Sequence, residues 1–401
     1  MQLASKQKVI GIALITALAI IGDSMLLIVL PLYWKEFGLT AVWQIGILLS
    51  INRFIRLPIN PLVGLFYQRF NLRTGIFIAV FLAIITTLSY GIFNDFWILF
   101  IMRALWGCAW SLLRLGGYLT IIDVTTNTNR GRYVGMYNGL WGIGGLTGML
   151  AGGILIEVTS VNFVCSLFAF VGLIALPLVH FLIPATKTSR DDKSKSHHRS
   201  WLTSSVAMVL ATGMVMGFIV FGLFASTLSQ LIDRSYVNEW SFFHITIGAA
   251  SLAGFMQAIR WGWDPFVAPL VGRWLDSTAS FLRVLLLPLF GGGMLLLFIA
   301  SFQSMIIVII LLVCFQLMST IFVTTTDTLA TTAAAQSDKV KVITFHTVVV
   351  DVGAALGPLI SFVLIDYFSL TIVYYVAGIL LILLGIAWVI YNRSSKTMLS
   401  T

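Results

Sequence analysis

The chain has 401 residues, of which 59% are hydrophobic and only 10% are charged. Soluble domains carry roughly 25% charged residues, so this composition excludes a soluble globular protein and indicates a membrane protein. The net charge of +9 does not indicate a nucleic-acid-binding protein, because the basic residues lie at the ends of apolar runs. Cys108, Cys165 and Cys314 lie in apolar segments at unrelated spacings, which predicts neither disulfides nor a metal site.

Twelve apolar runs are long enough to cross the hydrocarbon core of a bilayer, which takes about 20 residues of helix. We predict an all-α polytopic membrane protein with these 12 transmembrane helices: 8–32, 43–66, 73–93, 96–122, 132–157, 161–183, 202–231, 241–270, 282–302, 304–330, 341–365 and 368–391. The first run is too long for a signal peptide and lacks a small-residue cleavage site, so it is counted as a span.

One long polar stretch, at 187–200, divides the spans into two groups of six. It predicts an N-terminal six-helix half at 1–186, a linker, and a C-terminal half at 201–401. If the N-terminus is cytoplasmic, the cytoplasmic segments hold 17 Lys and Arg and the extracellular segments hold two. Because cytoplasmic loops are enriched in Lys and Arg, we predict that both termini and the linker are cytoplasmic.

The two halves carry matching segments at nearly the same offset. The sequence PLVG occurs at 61–64 and at 269–272, and a GxxxG pattern that runs on to an acid occurs at 144–157 and at 353–366. Such a parallel repeat indicates two six-helix pseudo-repeat halves. It is typical of a transporter whose substrate site lies between the halves near the middle of the membrane.

Several motifs resemble the major facilitator superfamily, and the resemblance covers nearly the whole chain. After span two, Gly64, Arg69 and Arg73 match the family's loop pattern, although Gln68 and Asn71 replace its acid and second glycine. The Arg-x-x-x-Gly motif of span four lies at Arg103–Gly107, and the family's basic loop after that span lies at 130–132. The second-half copy of the loop pattern contains Gly272 and Asp276.

Two stretches are similar to those of the family's drug–proton exporters. GGLTGMLAGG in span five is similar to their antiporter motif, with Met149 in place of its proline, and GDSMLLIVLP in span one is similar to their membrane aspartate segment. The stretch GDSMLLIVLP and the stretch SINRFIRLPINPLVG in span two also resemble Gram-positive metallophore exporters of the staphylopine or bacillibactin type. The resemblance implies a bacterial plasma-membrane protein.

Glycines spaced four residues apart in span five present a smooth helix face that a neighbouring helix can approach closely. The resemblance implies that this face packs between the two halves and takes part in gating. Together with the loop motifs and the acid at the end of span four, the predicted gating residues are Gly64, Arg69, Arg73, Asp123, Gly144, Gly148, Gly152, Gly272, Asp276, Gly353 and Gly357.

Ionisable residues inside membrane spans are costly and mark a functional site or a partner. At about 100° per residue, the polar residues of span two share one face, and spans four and eight carry similar polar lines. The predicted substrate-binding residues are Asn52, Arg53, Arg56, Asn60, Arg114, Tyr118, Gln257, Arg260 and Asp351. Two alternatives remain open: a salt-bridge lock between helices for Arg53 and Arg56, and a structural role for Arg103, bonded to backbone carbonyls or to Asp23.

The charge balance favours an anionic substrate. The first-half spans hold four arginines, namely Arg53, Arg56, Arg103 and Arg114, and one deep acid, Asp23. Guanidinium groups suit carboxylates and phosphates, whereas a site for lipophilic cations needs the reverse balance. Proton coupling needs a carboxylate whose charge changes between states, and we predict Asp23 and Asp351 for this role, with Arg103 as the arginine that controls Asp23.

The sequence therefore predicts a secondary transporter that exports a small anionic or zwitterionic, carboxylate-rich molecule, such as a metallophore, by proton antiport with alternating access. The alternatives are a broad-specificity multidrug/proton antiporter and an importer of an anionic nutrient. A membrane sensor is disfavoured because no loop forms a domain, and no catalytic set indicates an enzyme. We expect no cofactor or bound metal, no nucleic-acid partner, and a monomer in the lipid bilayer.

Overall fold

The computed structural model describes residues 2–124, 130–183, 202–235, 240–242, 245–277, 281–335 and 339–398. Its elements, in chain order, are α1 (Gln2–Leu32), α2 (Trp43–Phe54), α3 (Arg56–Arg69), α4 (Leu72–Ile92), α5 (Phe96–Val124), α6 (Arg130–Val158), α7 (Val161–Leu173), α8 (Ala175–Leu182), α9 (Ser204–Met216), a π-helical segment (Gly217–Phe224), α10 (Ala225–Ser235), β1 (Trp240–Phe242), β2 (Ile245–Ile247), α11 (Ala249–Ser277), α12 (Phe281–Leu286), a second π-helical segment (Leu287–Gly291), α13 (Gly292–Ser301), α14 (Met305–Ala335), α15 (Lys339–Tyr367) and α16 (Leu370–Met398). The predicted linker at 187–200 lies outside the described residues, so the division into halves there stays a prediction.

The fold is that of an all-α polytopic membrane protein, as predicted. Among the described residues, ten helical stretches of 21 to 32 residues are long and apolar enough to cross a membrane. The remaining two predicted spans correspond to α2–α3, which is broken after Phe54, and to α11, which is more polar than these ten stretches. These are the segments that hold the polar face of span two and the polar line of span eight, so the count of twelve is consistent with the structure.

Two of the spans are interrupted where proline removes a backbone hydrogen bond. Proline has no amide hydrogen, so Pro58 cannot bond to the carbonyl of Phe54, and α2 ends at Phe54. In the same way Pro177 leaves the carbonyl of Leu173 without its helical donor, and α7 ends at Leu173. The chain resumes its helical course directly after each break.

Span eight begins later than the sequence predicts. Residues 241–247 were expected to be helical, but β1 and β2 form an antiparallel pair with Trp240 opposite Ile247 and Phe242 opposite Ile245. The aromatic and β-branched residues of this stretch favour strands, and α11 starts only at Ala249.

The chain forms two compact units. The first contains α1 to α8, residues Leu228–Asp233 of α10, and α11 up to Trp261. Its core is a cluster of buried side chains from α1, α3, α4, α5, α6 and α8, of which Tyr67, Trp106 and Tyr137 are among the largest. Within this unit α1 packs along α6, because a methyl group at Gly144 or Gly148 would collide with the carbonyls of Ala17 and Ile21.

Glycines also allow close helix packing in the second unit. Its helices include α9, the first π-helical segment and α15. A Cβ on Gly357 would lie 2.5 Å from the Cα of Gly222, and one on Gly353 would strike the carbonyl of Met214. In each unit, therefore, the glycine face of the repeat packs against the first span of its own six-helix group. Its role in gating between the halves stays a prediction.

Candidate transport site

A buried ion pair between Asp23 and Arg103 joins three helices of the first unit. The Nη1 of Arg103, on α5, donates to the Oδ1 of Asp23 on α1, and its Nε donates to the carbonyl of Leu48 on α2 at 2.9 Å. The guanidinium carbon lies 5.9 Å from the ring centroid of Tyr90. The side chain of Arg103 is 3% exposed and that of Asp23 is 16% exposed. Removing either partner would leave a buried charge uncompensated.

Gly107 explains the second part of the Arg-x-x-x-Gly motif. It lies one turn after Arg103, and a Cβ there would collide with the carbonyl of Asn52, which lies one turn after Leu48 on α2. The arginine and the glycine therefore contact successive turns of the same neighbouring helix. The motif holds the polar face of α2 and α3 against α5.

The residues on the predicted polar face of span two differ in how deeply they are buried. Asn52 and Arg56 are buried, Arg53 is half-buried and Asn60 is exposed. The buried Oδ1 of Asn52 accepts no hydrogen bond from the described residues. The guanidinium carbon of Arg56 lies 5.6 Å from the ring centroid of Trp110 on α5, so this arginine rests on an aromatic ring inside the unit.

Trp110 belongs to a row of three indole rings, which we call the tryptophan row. The ring centroids of Trp110 and Trp141 are 5.1 Å apart, and those of Trp141 and Trp261 are 5.8 Å apart, both with edge-to-face geometry. The Nε1 of Trp141 donates to Asn138 at 3.1 Å. The row crosses α5, α6 and α11, with Arg56 at one end and the partly exposed Trp261 at the other.

The sequence analysis did not identify Trp110 or Trp141. One signal was present: Trp110 lies seven residues, or two turns, after Arg103 on the same face of α5. No spacing along the sequence indicates that rings from three helices meet, because that contact is tertiary.

The other predicted first-half residues, Arg114 and Tyr118, lie further along α5. Both are half-buried. The Tyr118 ring lies 5.9 Å from that of Tyr137, whose hydroxyl is 3.4 Å from that of Thr16 on α1. Tyr118 thus borders the contact between α1, α5 and α6.

Gln257 and Arg260, on the part of α11 in the first unit, are both buried. The structure adds a hydrogen-bond partner for Asp264, in the second unit: the hydroxyl of Thr320 on α14 donates to its Oδ1 at 2.5 Å. The oxygen of Thr320 lies 3.2 Å from the Nε1 of Trp263, which donates to it. Asp264 and Asp327 both line a pocket of about 390 Å³, whose remaining polar lining consists of threonines of α14.

Asp351, the second predicted proton-coupling residue, is buried on α15 of the second unit. It lies two residues before Gly353 and six before Gly357 on the helix that packs against α9 and the first π-helical segment.

The predicted gating residues differ in their surroundings. The Nε of Arg73 donates to the carbonyl of Ile183, just past the C-terminal end of α8, at 2.7 Å. Gly64 and Gly272 have open space where a Cβ would be. Asp123 and Arg69 are exposed at helix ends. The side chain of Asp276 lies outside the described residues, whereas the glycines of the repeat, including Gly152 against Met25, are closely packed.

A multi-pass helical protein with an ion pair and polar side chains buried inside its membrane helices has the construction of a membrane carrier. The sequence matches the Major Facilitator Superfamily over residues 12–336. The chain therefore belongs to that family of transporters and is not an enzyme.

Relatives and solved structures agree with this membership. A class H tetracycline resistance protein of Pasteurella multocida is 23% identical over 291 residues, covering 69% of this chain and 70% of that protein. The chromaffin granule amine transporter of Rattus norvegicus is 24% identical over 243 residues, which cover 60% of this chain but only 46% of that protein. A bacterial homolog of the human lysosomal transporter Spinster has the same fold, with a TM-score of 0.76 at 14% identity over 99% of this chain and 98% of that chain.

Proposed function

We propose that the protein exports a small anionic or zwitterionic, carboxylate-bearing molecule from a bacterial cell by proton antiport, as a monomer in the plasma membrane. The buried pair of Asp23 and Arg103 is the observation that carries this proposal. Its carboxylate is largely buried, so its charge depends on its contact with the guanidinium. The same guanidinium also holds the backbone of α2, so a change in the charge of Asp23 acts on three helices.

The proton acts on this pair by neutralising Asp23. A neutral Asp23 no longer attracts Arg103, so α1, α2 and α5 lose their common electrostatic contact and a second arrangement of these helices becomes favourable. When the proton leaves, the ion pair forms again. Because the paired arrangement excludes the proton, a cargo that binds to it displaces a proton, which is the condition for antiport.

The charge of the cargo follows from the sequence of the first-half spans. They hold four arginines, at 53, 56, 103 and 114, and one deep acid at 23. This formal excess favours a carboxylate or another acidic oxygen group, whatever local contacts the arginines make. Among such molecules we propose a metal-chelating polycarboxylate, in line with the resemblance to metallophore exporters. The direction of transport follows the drug-resistance relative.

The test uses the full-length protein in proteoliposomes with nitrilotriacetate, a polycarboxylate chelator, and ethidium, a lipophilic cation, as probes. An imposed proton gradient should drive nitrilotriacetate but not ethidium. Asp23→Asn should abolish gradient-driven transport while leaving nitrilotriacetate binding within about threefold of wild type, because Asn keeps the size of the side chain but cannot take up a proton.

The matched control is Asp95→Asn, since Asp95 is exposed in the turn before α5; it should transport normally. Preference for ethidium would refute the assigned substrate class. Normal coupling in Asp23→Asn would refute the assigned proton site. Movement of nitrilotriacetate down the proton gradient, in the same direction as the proton, would identify an importer instead.

A second candidate function is a multidrug/proton antiporter, and the tryptophan row favours it. Aromatic rings bind flat, apolar molecules through their faces and edges, and Trp261 is partly exposed. Transport of ethidium that is lost in Trp261→Ala but kept in Trp97→Ala, where the altered ring lies at the start of α5, would support this function over the first.

A further inference from the structure

Glu157, at the end of α6, closes the N-terminus of α11. Its Oε1 accepts a hydrogen bond from the N–H of Ser251 at 2.9 Å, and its Oε2 accepts from the N–H of Gly248 at 3.1 Å and from the hydroxyl of Ser251. The first N–H groups of a helix have no partner within the helix and carry partial positive charge. A side chain from a different helix therefore supplies the cap of α11.

The backbones of α6 and α11 touch directly beside this cap. A Cβ on Gly153 would collide with the carbonyl of Ala250, and a Cβ on Gly254 would lie 2.6 Å from the carbonyl of Met149. Glycine on both helices permits this approach, which extends over about one turn. The cap and the two glycines thus hold one end of α6 against one end of α11 within the first unit.

The surroundings of Glu157 are acidic. Tyr33, just after α1, has its pKa raised above the usual value of 10, first by burial and then by the negative charges of Glu157, Glu36 and Asp233. Asp233 lies on α10, and the amide of Gln230 on the same helix donates to the carbonyl of Pro31 at 3.4 Å. The charged groups that raise the pKa of Tyr33 are therefore all carboxylates.

We propose that Glu157 is a proton-operated latch between the predicted extracellular ends of α6 and α11. The ionised carboxylate holds the two helix ends together, because its charge strengthens all three hydrogen bonds it accepts. A proton from the extracellular side removes that charge and weakens the cap, and α6 and α11 then separate at this end. Because loss of the charge weakens the three hydrogen bonds that hold the closed arrangement, acidification of the extracellular side favours opening. The latch does not depend on the roles proposed for Asp23 or on the cargo.

The test measures access to a cysteine placed between the two helices. In a full-length background without Cys108, Cys165 and Cys314, Leu150→Cys places a thiol on α6 where its backbone lies against Gly254. A membrane-impermeant maleimide is applied from the extracellular side across a pH series. Each rate is normalised to that of Thr159→Cys, an exposed position just after α6, which removes the pH dependence of thiol chemistry.

The normalised labelling rate should rise as the extracellular pH falls. Glu157→Gln should raise it about tenfold at pH 7.5, as the loss of charge-assisted hydrogen bonds suggests, and should flatten its pH dependence. Asp366→Asn removes the exposed acid at the repeat-equivalent position in α15 and should leave the rate within about twofold of the unchanged reporter.

A Glu157→Gln protein with the rate and pH dependence of its parent would overturn the latch. If that variant does not fold, the labelling rates of the parent protein and of Ser251→Ala across the pH series test the latch instead. A parent rate that is independent of extracellular pH, or a Ser251→Ala rate equal to that of the parent, would also overturn it. Because labelling needs no transport, a failure of the assigned cargo or of Asp23 coupling leaves this result unaffected.

Discussion

The two copies of the repeat share their packing but not their charges. In the first unit the glycine face of α6 lies against α1, and in the second unit the glycine face of α15 lies against α9 and the π-helical segment. The first copy carries the ion pair of Asp23 and Arg103 beside this packing. At offsets of 208 and 209 residues, Asp23 corresponds to Leu231 or Ile232, and Arg103 corresponds to Leu311 or Leu312. The close helix contact is thus a common scaffold, and the pair of Asp23 and Arg103 is an addition specific to the first copy.

Removing one member of the ion pair should have the largest effect on stability. Arg103→Leu makes the first copy apolar at one position but leaves Asp23 buried without its guanidinium partner. This should lower the free energy of unfolding by about 3–5 kcal/mol. The double variant Asp23→Leu/Arg103→Leu, which makes both positions apolar as in the second copy, should recover most of that loss. Unfolding in detergent with increasing denaturant measures all three proteins. Equal stabilities of the single and double variants would show that the pair has no special cost.

Filling the glycine contacts should have the next largest effect, and it should be similar in both copies. Gly148→Ala brings a methyl group onto the carbonyl of Ile21, and Gly357→Ala brings one to 2.5 Å from the Cα of Gly222. Overpacking of this kind lowers the free energy of unfolding by about 1–3 kcal/mol.

The controls for this comparison are Gly64→Ala and Gly272→Ala, at the repeated PLVG segment, where a Cβ meets nothing within 4 Å. They should change stability by less than about 0.5 kcal/mol, as measured by thermal unfolding in detergent. A loss confined to one copy would disprove the idea of a shared scaffold.

The smallest expected difference concerns the basic residues at the predicted cytoplasmic ends. Arg73→Gln removes the charge-assisted hydrogen bond to the carbonyl of Ile183 and should lower the stability by about 1.5 kcal/mol. Arg283→Gln alters an exposed arginine near the corresponding point of the second half and should be close to neutral. Identical thermal midpoints for the two variants would mean that the bond of Arg73 contributes nothing measurable.

The sequence predicts those parts of the structure that depend on composition and local spacing. The apolar runs predict the helices, and the polar residues of span two predict a face of which Asn52 and Arg56 are buried. For Arg103, contacts with Asp23 and with a backbone carbonyl were alternatives, and the structure shows both at once. The family resemblance was correct at the level of the superfamily.

The remainder depends on contacts between distant helices. The row of Trp110, Trp141 and Trp261 joins three helices, and Glu157 caps a helix that begins about 90 residues later; neither contact has a signature within one span. The glycine face was recognised from its spacing, but spacing does not tell which helix it contacts. The strands before α11 were missed because the stretch before that helix is rich in apolar residues and was counted as part of span eight.

The central claim is that proton binding at Asp23 is linked to cargo binding through the pair with Arg103. Proton release on addition of nitrilotriacetate, measured with purified protein in weakly buffered detergent solution, tests it most directly. The wild-type protein and Asp366→Asn should release protons in proportion to the nitrilotriacetate bound, whereas Asp23→Asn should bind the probe and release none. Proton release by Asp23→Asn equal to that of the wild type would contradict the claim.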